Sequence, residues 1–475
     1  SGNGNDFTSS GLTTADQVVD TPTDNYATWN PLRTGANIIP SDGNLKAVTN
    51  ATVAQTATGT FGLSSGKWYW EVTNQGGFIG YTGIVDETHD MATYIGASSS
   101  GSGYAYNTQG EKVGPTSGTA AAYGASYTTG DVIGVALDMD AGTLAFYKNG
   151  ASQGTAFTGL TGTWFPAVSG NGVAGKGGDA DFGQLGFTHT PPVGFVALST
   201  ANLPAPTIAD GSTAFQTTLY TGDGNQTQTL TQGGNSTFNP DFIWIKNRTA
   251  AYSHNLNDAV RGYTGASPST AADVKVLASD NADNEGLSSV TTAQQRGFVQ
   301  ESTANGFIVN KGTAGSQDGY YTNRSSQTYA AWQWKANGAG SSNTDGTITS
   351  TVSANTTAGF SIVRAASMAA SGTIGHGLSQ APDMVIGRMQ TETFNWWVWH
   401  QGLTGGTYHV KLNDTSAQAA AMSVYSALPT STVINTGGSW TSGNPAIFYC
   451  FHEVEGFSKF GSFKGNNSLD GPFIY

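Results

Sequence analysis

The sequence predicts an all-β protein made of tandem antiparallel β-sandwiches. Three observations point there. Gly supplies 65 of the 475 residues, while charged residues make up only 11%. That is too little charge to coat long amphipathic surface helices. Apolar residues recur with period two in short runs, and Gly-, Asn- and Asp-rich turns separate the runs. Finally, 11 Trp, 19 Tyr and 22 Phe provide core material that a disordered chain lacks.

Length allows about three domains at roughly 150 residues each. Residues 1–25 read as an extension from a preceding segment, and 26–198 as the first sandwich. A linker, 199–212, follows around "TANLPAPTIADGS". Residues 213–340 form a second sandwich and 341–475 a third, joined through the polar stretch "KANGAGSSNTDG". The start, "SGNGNDFTSS", has neither the basic nor the apolar region of a secretory signal. It reads as the inside of a polar loop, so a longer native chain is expected.

In the first sandwich, "GDVIGVALDMDAGTLAFYKNG" (Gly130–Gly150) reads as a hairpin. Ile133, Val135 and Leu137 alternate along one strand, Asp138–Gly142 supplies a turn, and Leu144 and Phe146 lie on the return. Asn149-Gly150 is a signal for a tight turn at positive φ. Asp138 and Asp140 read as turn caps, with a metal or catalytic carboxylate pair as the alternative. In the later chain, "NPDFIWIKNR" from Asn239 matches "APDMVIGRMQ" from Ala381, and "TYAAWQWKANG" matches "PAIFYCFHEVEG". The second and third sandwiches therefore read as variants of one module, with a Pro-Asp strand, a late aromatic strand and a variable middle. Modules of this size suggest beads along a fibre or projection. Trp332, in the late strand, is expected in the core, where truncation to Ala would cost about 3–5 kcal/mol.

The first sandwich resembles the SPRY family through "GKWYWEV", "GFIGYTGI", "GYAYNTQGEKVG", the hairpin above and "TWFPAVSG", in the family's order. The resemblance implies a bent sandwich of two antiparallel sheets that binds proteins and other ligands through loops at one end. It does not imply an enzyme. The later sandwiches resemble modules of large virion proteins of marine tailed phages. They do so through "FIWIKNR", "SHNLNDAVRG", "LASD…E", "NGFIVNKG" and "YAAWQWKANG", then "GTIGHGLSQAPDMVI", "WWVWHQGL" and "VEGFSKFGSFKGN". That resemblance implies a tail fibre or similar surface appendage. Its partners would be other virion proteins, copies of itself (trimers are common for such fibres) and a host-surface glycan or protein.

Charge narrows the other classes. Net charge is −13 and the 19 basic residues are scattered, so no track exists to neutralise nucleic-acid phosphates. No apolar run approaches the roughly 20 residues of a membrane span. Cys450 is the only cysteine, which excludes an intramolecular disulfide. "GLSSG" (Gly62–Gly66) matches a hydrolase elbow, yet the strand-like "KWYWEV" follows where a helix is required. "GNGVAG" (Gly170–Gly175) lacks the helix that a dinucleotide site needs. Asp179/Asp181 and Glu453/Glu455 are same-face carboxylate pairs without a glycosidase motif around them. The seven histidines are isolated. "ASDNADNEG" (Ala278–Gly286) is rich in oxygen ligands but lacks EF-hand order, and reads as a solvated loop with a Ca²⁺ site as the alternative. No cofactor is expected.

"FNWWVWHQGL" (Phe394–Leu403) is the most aromatic run. As a strand it places Phe394, Trp396, Val398 and His400 on one face and Trp397 and Trp399 on the other. One face is core; the other is either a sugar-stacking platform or an interface. Arg261, three residues after Asp258, is expected to form a structural ion-pair cluster with Asp258 and Glu285 rather than an anion site, because the charges balance locally.

These readings combine into a non-enzymatic virion-surface protein that binds a host receptor. The candidate ligand-binding residues are Tyr104, Tyr106, Tyr123 and Met139 at the rim of the first sandwich, and Trp397 and Trp399 in the third. A capsid decoration or fibre shaft is the first alternative, and a polysaccharide depolymerase the second. Near the end, "FKGNNSLDGPFIY" (Phe463–Tyr475) aligns with "TVSANTTAGFSIV" (Thr351–Val363) and reads as the opening strand of a further module.

Overall fold

The structure is a computed structural model. It describes residues 20–21, 24–50, 52–76, 80–97, 103–115, 120–170, 174–175, 177–268, 273–285, 296–312, 318–463 and 465. The described chain is all-β, with antiparallel pairing except where Val196–Ala197 runs parallel to Lys67–Asn74 and at the isolated parallel bridge Ile348–Ile374. It divides into two compact units that meet in sequence between Pro204 and Ala205.

The first unit is a sandwich of two seven-stranded sheets. Its core holds Trp29, Trp70, Tyr106, Phe146 and Phe182, all fully buried. The hairpin predicted from Gly130–Gly150 is present. Val132–Asp138 pairs with Thr143–Lys148, placing Leu144 opposite Leu137 and Phe146 opposite Val135. The Asn149-Gly150 turn, at φ 46° and 78°, leads into a third strand, Ala151–Thr158. Asp138 caps its own turn by accepting the Ala141 amide at 2.9 Å, and Asp140 accepts the Gly66 amide at 2.7 Å. Asp138 is thus the turn cap expected, whereas Asp140 ties its turn to a distant loop. Gly134 sits within the first strand because a β-carbon there would overlap the Tyr69 ring. "KWYWEV" falls in the strand Lys67–Asn74, as expected, so "GLSSG" precedes no helix.

In the second unit the sequence repeat is a structural repeat. Phe215–Thr221, Thr328–Trp334, Phe242–Asn247 and Asn255–Asp258 lie side by side in that order. Phe360–Ala365, Ala446–Phe451, Met384–Met389 and Trp397–His400 lie in the same order within an eight-stranded sheet. Registers agree too. Phe242 pairs with Trp334 and Asp258, and Met384 with Phe451 and His400.

The Pro-Asp signature has a job in both copies. Pro cannot donate to a ladder and suits the start of a strand. The Asp then ties off the neighbouring aromatic strand. Asp241 accepts the Ala336 amide at 2.6 Å, and Asp383 accepts the Glu453 amide at 2.6 Å, each two residues beyond that strand.

Each four-stranded kernel carries a small cover sheet on one face. Thr227–Thr231, Gly306–Asn310 and Phe298–Thr303 cover the first; Gly372–Gly375 and Val433–Thr436 cover the second. Ile243, Ile245, Tyr329 and Ala331 pack under the first cover with Val299, Phe307 and Val309. The uncovered faces of the two kernels are also apolar, and they bury each other. Phe242, Leu256, Trp244 and Trp334 meet Phe360, Ile362, Ile386, Trp396, Tyr449 and Phe451 in one core. The Phe242 ring stacks 4.2 Å from that of Tyr449. The sequence suggested successive beads; instead the stretches on either side of residue 340 share a core, because a sheet apolar on both faces must be covered twice.

Thr351–Val363, read as one opening strand, is part of a hairpin of Ser350–Asn355 and Phe360–Ala365. The proposed further strand near Tyr475 falls on residues outside the described ones.

Candidate binding site

The first unit brings two of its four sequence-predicted residues together at the surface. Tyr104 and Tyr106 lie on Gly103–Asn107 and, two apart, point to the same side. Tyr104 is half-buried between Phe157, at 4.7 Å, and Trp164, at 5.1 Å. Tyr123 is half-buried as well, its hydroxyl donating to the Gly154 carbonyl and accepting the Phe146 amide at 3.2 Å. Lys112 links them. Its ammonium lies 5.4 Å from the Phe157 ring and 6.0 Å from the Tyr123 ring, and donates to the Ala156 carbonyl at 2.8 Å. The result is a partly open patch of Tyr104, Phe157 and Tyr123 around one cation, where the strands of the two sheets meet. Burial raises the hydroxyl pKa of both Tyr104 and Tyr123, so each stays a neutral phenol at ordinary pH.

Tyr106 and Met139 do not belong to this surface. Tyr106 is fully buried, donates to the Ala125 carbonyl and packs against Tyr123, Tyr127 and Phe146. Met139 is 8% exposed in the same core. Both were expected at the rim, and a buried side chain offers a ligand no area. Phe157 and Lys112 went unnoticed in the sequence. Phe157 lies in the edge strand Ala151–Thr158, far along the chain from Lys112.

In the second unit the aromatic run is consumed on both faces. Trp396 is fully buried against the other repeat, its indole donating to the Ala278 carbonyl at 2.7 Å and its ring 5.1 Å from the Arg388 guanidinium. Trp399 is 5% exposed in the core beneath the cover sheet, so it is no sugar platform. Trp397 is half-buried, edge-on to His409 at 4.5 Å with the Lys411 ammonium 5.4 Å away, beside a hollow of about 350 Å³.

The expected ion cluster is present and buried. The Arg261 side chain is 1% exposed and lies 2.5 Å from Asp258 and 2.9 Å from Glu285. It also donates to the carbonyls of Leu256 and Lys275, and Tyr449 donates to Asp258 at 2.8 Å. The oxygen-rich stretch after Ala278 is not a free loop. Its Ala282 and Asp283 carbonyls accept from Arg388 at 3.1 and 2.6 Å, and the Glu285 amide donates to Gln390 at 2.7 Å. Asp179 accepts from Gln75 at 2.5 Å, and Asp181 accepts the Gly183 amide at 2.7 Å; burial pushes both carboxyls up. Among the described residues no three His, Cys, Asp or Glu side chains gather as a metal would require.

Residues 210–475 match the family model described as "Domain of unknown function (DUF7483)". The chain belongs to this family. Residues 67–184 match the SPRY domain model, so a SPRY domain precedes the DUF7483 region. The E3 ubiquitin-protein ligase RKP of Arabidopsis thaliana is 31% identical over 141 residues, covering 29% of this chain and 11% of the plant protein. Ran-binding protein 9 of Xenopus tropicalis is 44% identical over 72 residues, covering 15% of this chain and 13% of the frog protein. The chain thus spans only about a tenth of the curated relatives it matches. The SPRY domain of human HERC1 aligns over 32% of this chain and 95% of its own, at 19% identity and a TM-score of 0.27. The TRIM65 PSpry domain aligns over 33% and 92%, at 17% identity and a TM-score of 0.28.

Proposed function

We propose that the protein is a non-catalytic binding protein of a bacteriophage surface appendage, and that its SPRY domain contacts a glycan or protein on the host. One observation carries the binding half: Tyr104, Phe157 and Tyr123 stand half-open around Lys112 on a closed double-sheet scaffold. Tyr104 and Phe157 stand on strands, and Tyr123, just past the strand Ala120–Ala122, is tied by its hydroxyl to two backbone groups, so little ordering entropy is lost when a partner docks. Flat aromatic faces with one cation and the Tyr104 phenol suit a sugar ring or an apolar peptide side chain carrying acceptors. The SPRY relatives include proteins named for binding Ran, which supports a protein partner equally. The virion half rests on the resemblance of the DUF7483 region to marine phage modules and on its low charge. In this reading the chain works alongside other virion proteins and further copies of itself.

Labelled protein tests both halves on a panel of marine bacterial strains. Saturable binding to some strains is expected, weakened about tenfold or more in Lys112→Ser or Phe157→Ala, with no reducing ends released from cell-surface polysaccharide. Release that disappears on substitution of Asp181 or another carboxylate would instead identify a depolymerase. A structural role has its own support, since the aromatic faces of both repeats are spent on one another. Antibody labelling of intact particles that marks a capsid or shaft, together with no binding to any strain, would establish that second reading.

A further inference from the structure

We infer that the DUF7483 region holds a separate site for a small acidic saccharide, centred on Arg364. The site stands on this region alone and does not require the SPRY patch to bind anything.

Arg364 lies on Phe360–Ala365, directly opposite Thr351, which in turn lies opposite Ser342 on the edge strand. Directly opposed residues share a face, so the three side chains form a row. They line a hollow of about 500 Å³ together with Thr349, Ser367 and Ser442. That volume falls within the roughly 300–1,000 Å³ of small-molecule sites. Ile348 and Met368 border the hollow as well, but at 6% and 2% exposed their side chains belong to the core beneath the cover sheet.

The guanidinium is held but not neutralised. Its Nε donates to the Gln390 side chain at 3.0 Å, and Gln390 is 1% exposed, which fixes the fork. Among the described residues no carboxylate pairs with Arg364 and neither terminal nitrogen has a partner. The hydroxyls of Ser342, Thr349, Thr351, Ser367 and Ser442 are likewise uncommitted. Arg presents two parallel donors that match a carboxylate or sulfate. Hydroxyls that both donate and accept match a polyhydroxylated body. The net charge of −13 repels long polyanions, so a compact ligand with one negative group fits best.

Calorimetric titration of the full chain with glucuronic acid, glucose and inorganic sulfate tests this. Glucuronic acid should bind about tenfold or more tighter than either glucose or sulfate. Arg364→Gln should lose about tenfold of that affinity and Arg364→Lys less, because Lys keeps the charge and loses the fork. The melting temperature of Arg364→Gln should stay close to the parent's, since among the described residues the side chain makes one protein hydrogen bond. Equal binding of glucose would overturn the anion assignment, and equal binding of sulfate would overturn the saccharide. Unchanged affinity in Arg364→Gln, or no heat from millimolar glucuronic acid, would overturn the site.

Discussion

Replacing Phe242 by Ala should unfold both repeats of the DUF7483 region more easily, not only the repeat that carries the residue. Phe242 is 1% exposed. Its ring lies 4.2 Å from Tyr449 and 6.0 Å from Phe360 in one repeat, and 5.1 Å from Trp334 in its own. Truncating a buried Phe costs about 3–5 kcal/mol, more when the surroundings cannot collapse. Here the walls are large rings on paired strands, so the upper end, about 4–5 kcal/mol, applies. A domain commonly has about 5–15 kcal/mol in total, so about a quarter or more of the unit's stability is at stake. Urea denaturation gives the magnitude. Hydrogen exchange read by mass spectrometry gives the location, since peptides covering Phe360–Ala365 and Ala446–Phe451 should lose protection together with Phe242–Asn247. A cost below about 1 kcal/mol, or faster exchange confined to the first repeat, would refute the shared core. Trp332→Ala provides the contrast. Trp332 is half-buried and meets Trp244 edge-on at 6.3 Å, so its truncation should cost about 1–2 kcal/mol, less than a core Trp.

Arg261→Met should cost about 3–5 kcal/mol in urea, because it strands the buried Asp258 carboxylate. Adding Asp258→Asn to it should cost less than about 1 kcal/mol more, and fully additive losses would contradict the coupling. His89 is buried beside Thr56, and its pKa is lowered by burial from 6.5 to about 4. Its neutral form is favoured in the folded state, so its contribution is complete above the unfolded value and is lost as pH falls from 6.5 through about 4. The loss should approach about 3 kcal/mol, and a SPRY domain equally stable to urea at pH 7 and pH 4 would exclude it. Asp181 shows the opposite sign. Burial raises its pKa above 3.8, so ionisation opposes folding and stability falls as pH rises through the folded value. Asp181→Asn should therefore melt higher than the parent at pH 7, with the gap closing below about pH 4; a gap independent of pH would assign the effect elsewhere.

Much of the fold was open to reading because it depends on local signals. Asn149-Gly150 specified a turn, and the period-two run from Val132 specified a strand. The Pro-Asp pairs at 240–241 and 382–383 marked equivalent strands, though not their role, since each Asp caps an amide about 70 to 95 residues away. The shared core had a signal that was passed over. "FIWIKN" is apolar at Phe242 and Trp244 as well as at Ile243 and Ile245, and a strand apolar on both faces is covered on both. The binding residues were harder. Tyr104 and Tyr106 carry the same letter and face the same way, yet only the first reaches the surface, because Tyr123, Tyr127 and Phe146 close over the second. Lys112 and Phe157 meet only once two sheets have been stacked. Arg364 gave no signal at all, because the groups around its guanidinium, Gln390 among them, come from strands far apart in the sequence.

The two kernels of the DUF7483 region meet through the same face in each copy, as identical subunits do in an isologous pair. The tether near residue 340 therefore turns a bimolecular equilibrium into an intramolecular one. A single copy, released from the other, would carry a sticky aromatic sheet and would have to find a second molecule to hide it. Joined, each copy meets its mate at an effective concentration on the order of millimolar, whatever the abundance of the protein. Assembly of this interface is thus indifferent to dilution. The same geometry carries a liability. Strands with equivalent partners can pair across molecules as well as within them, so slow refolding at high concentration invites exchange of one repeat between chains.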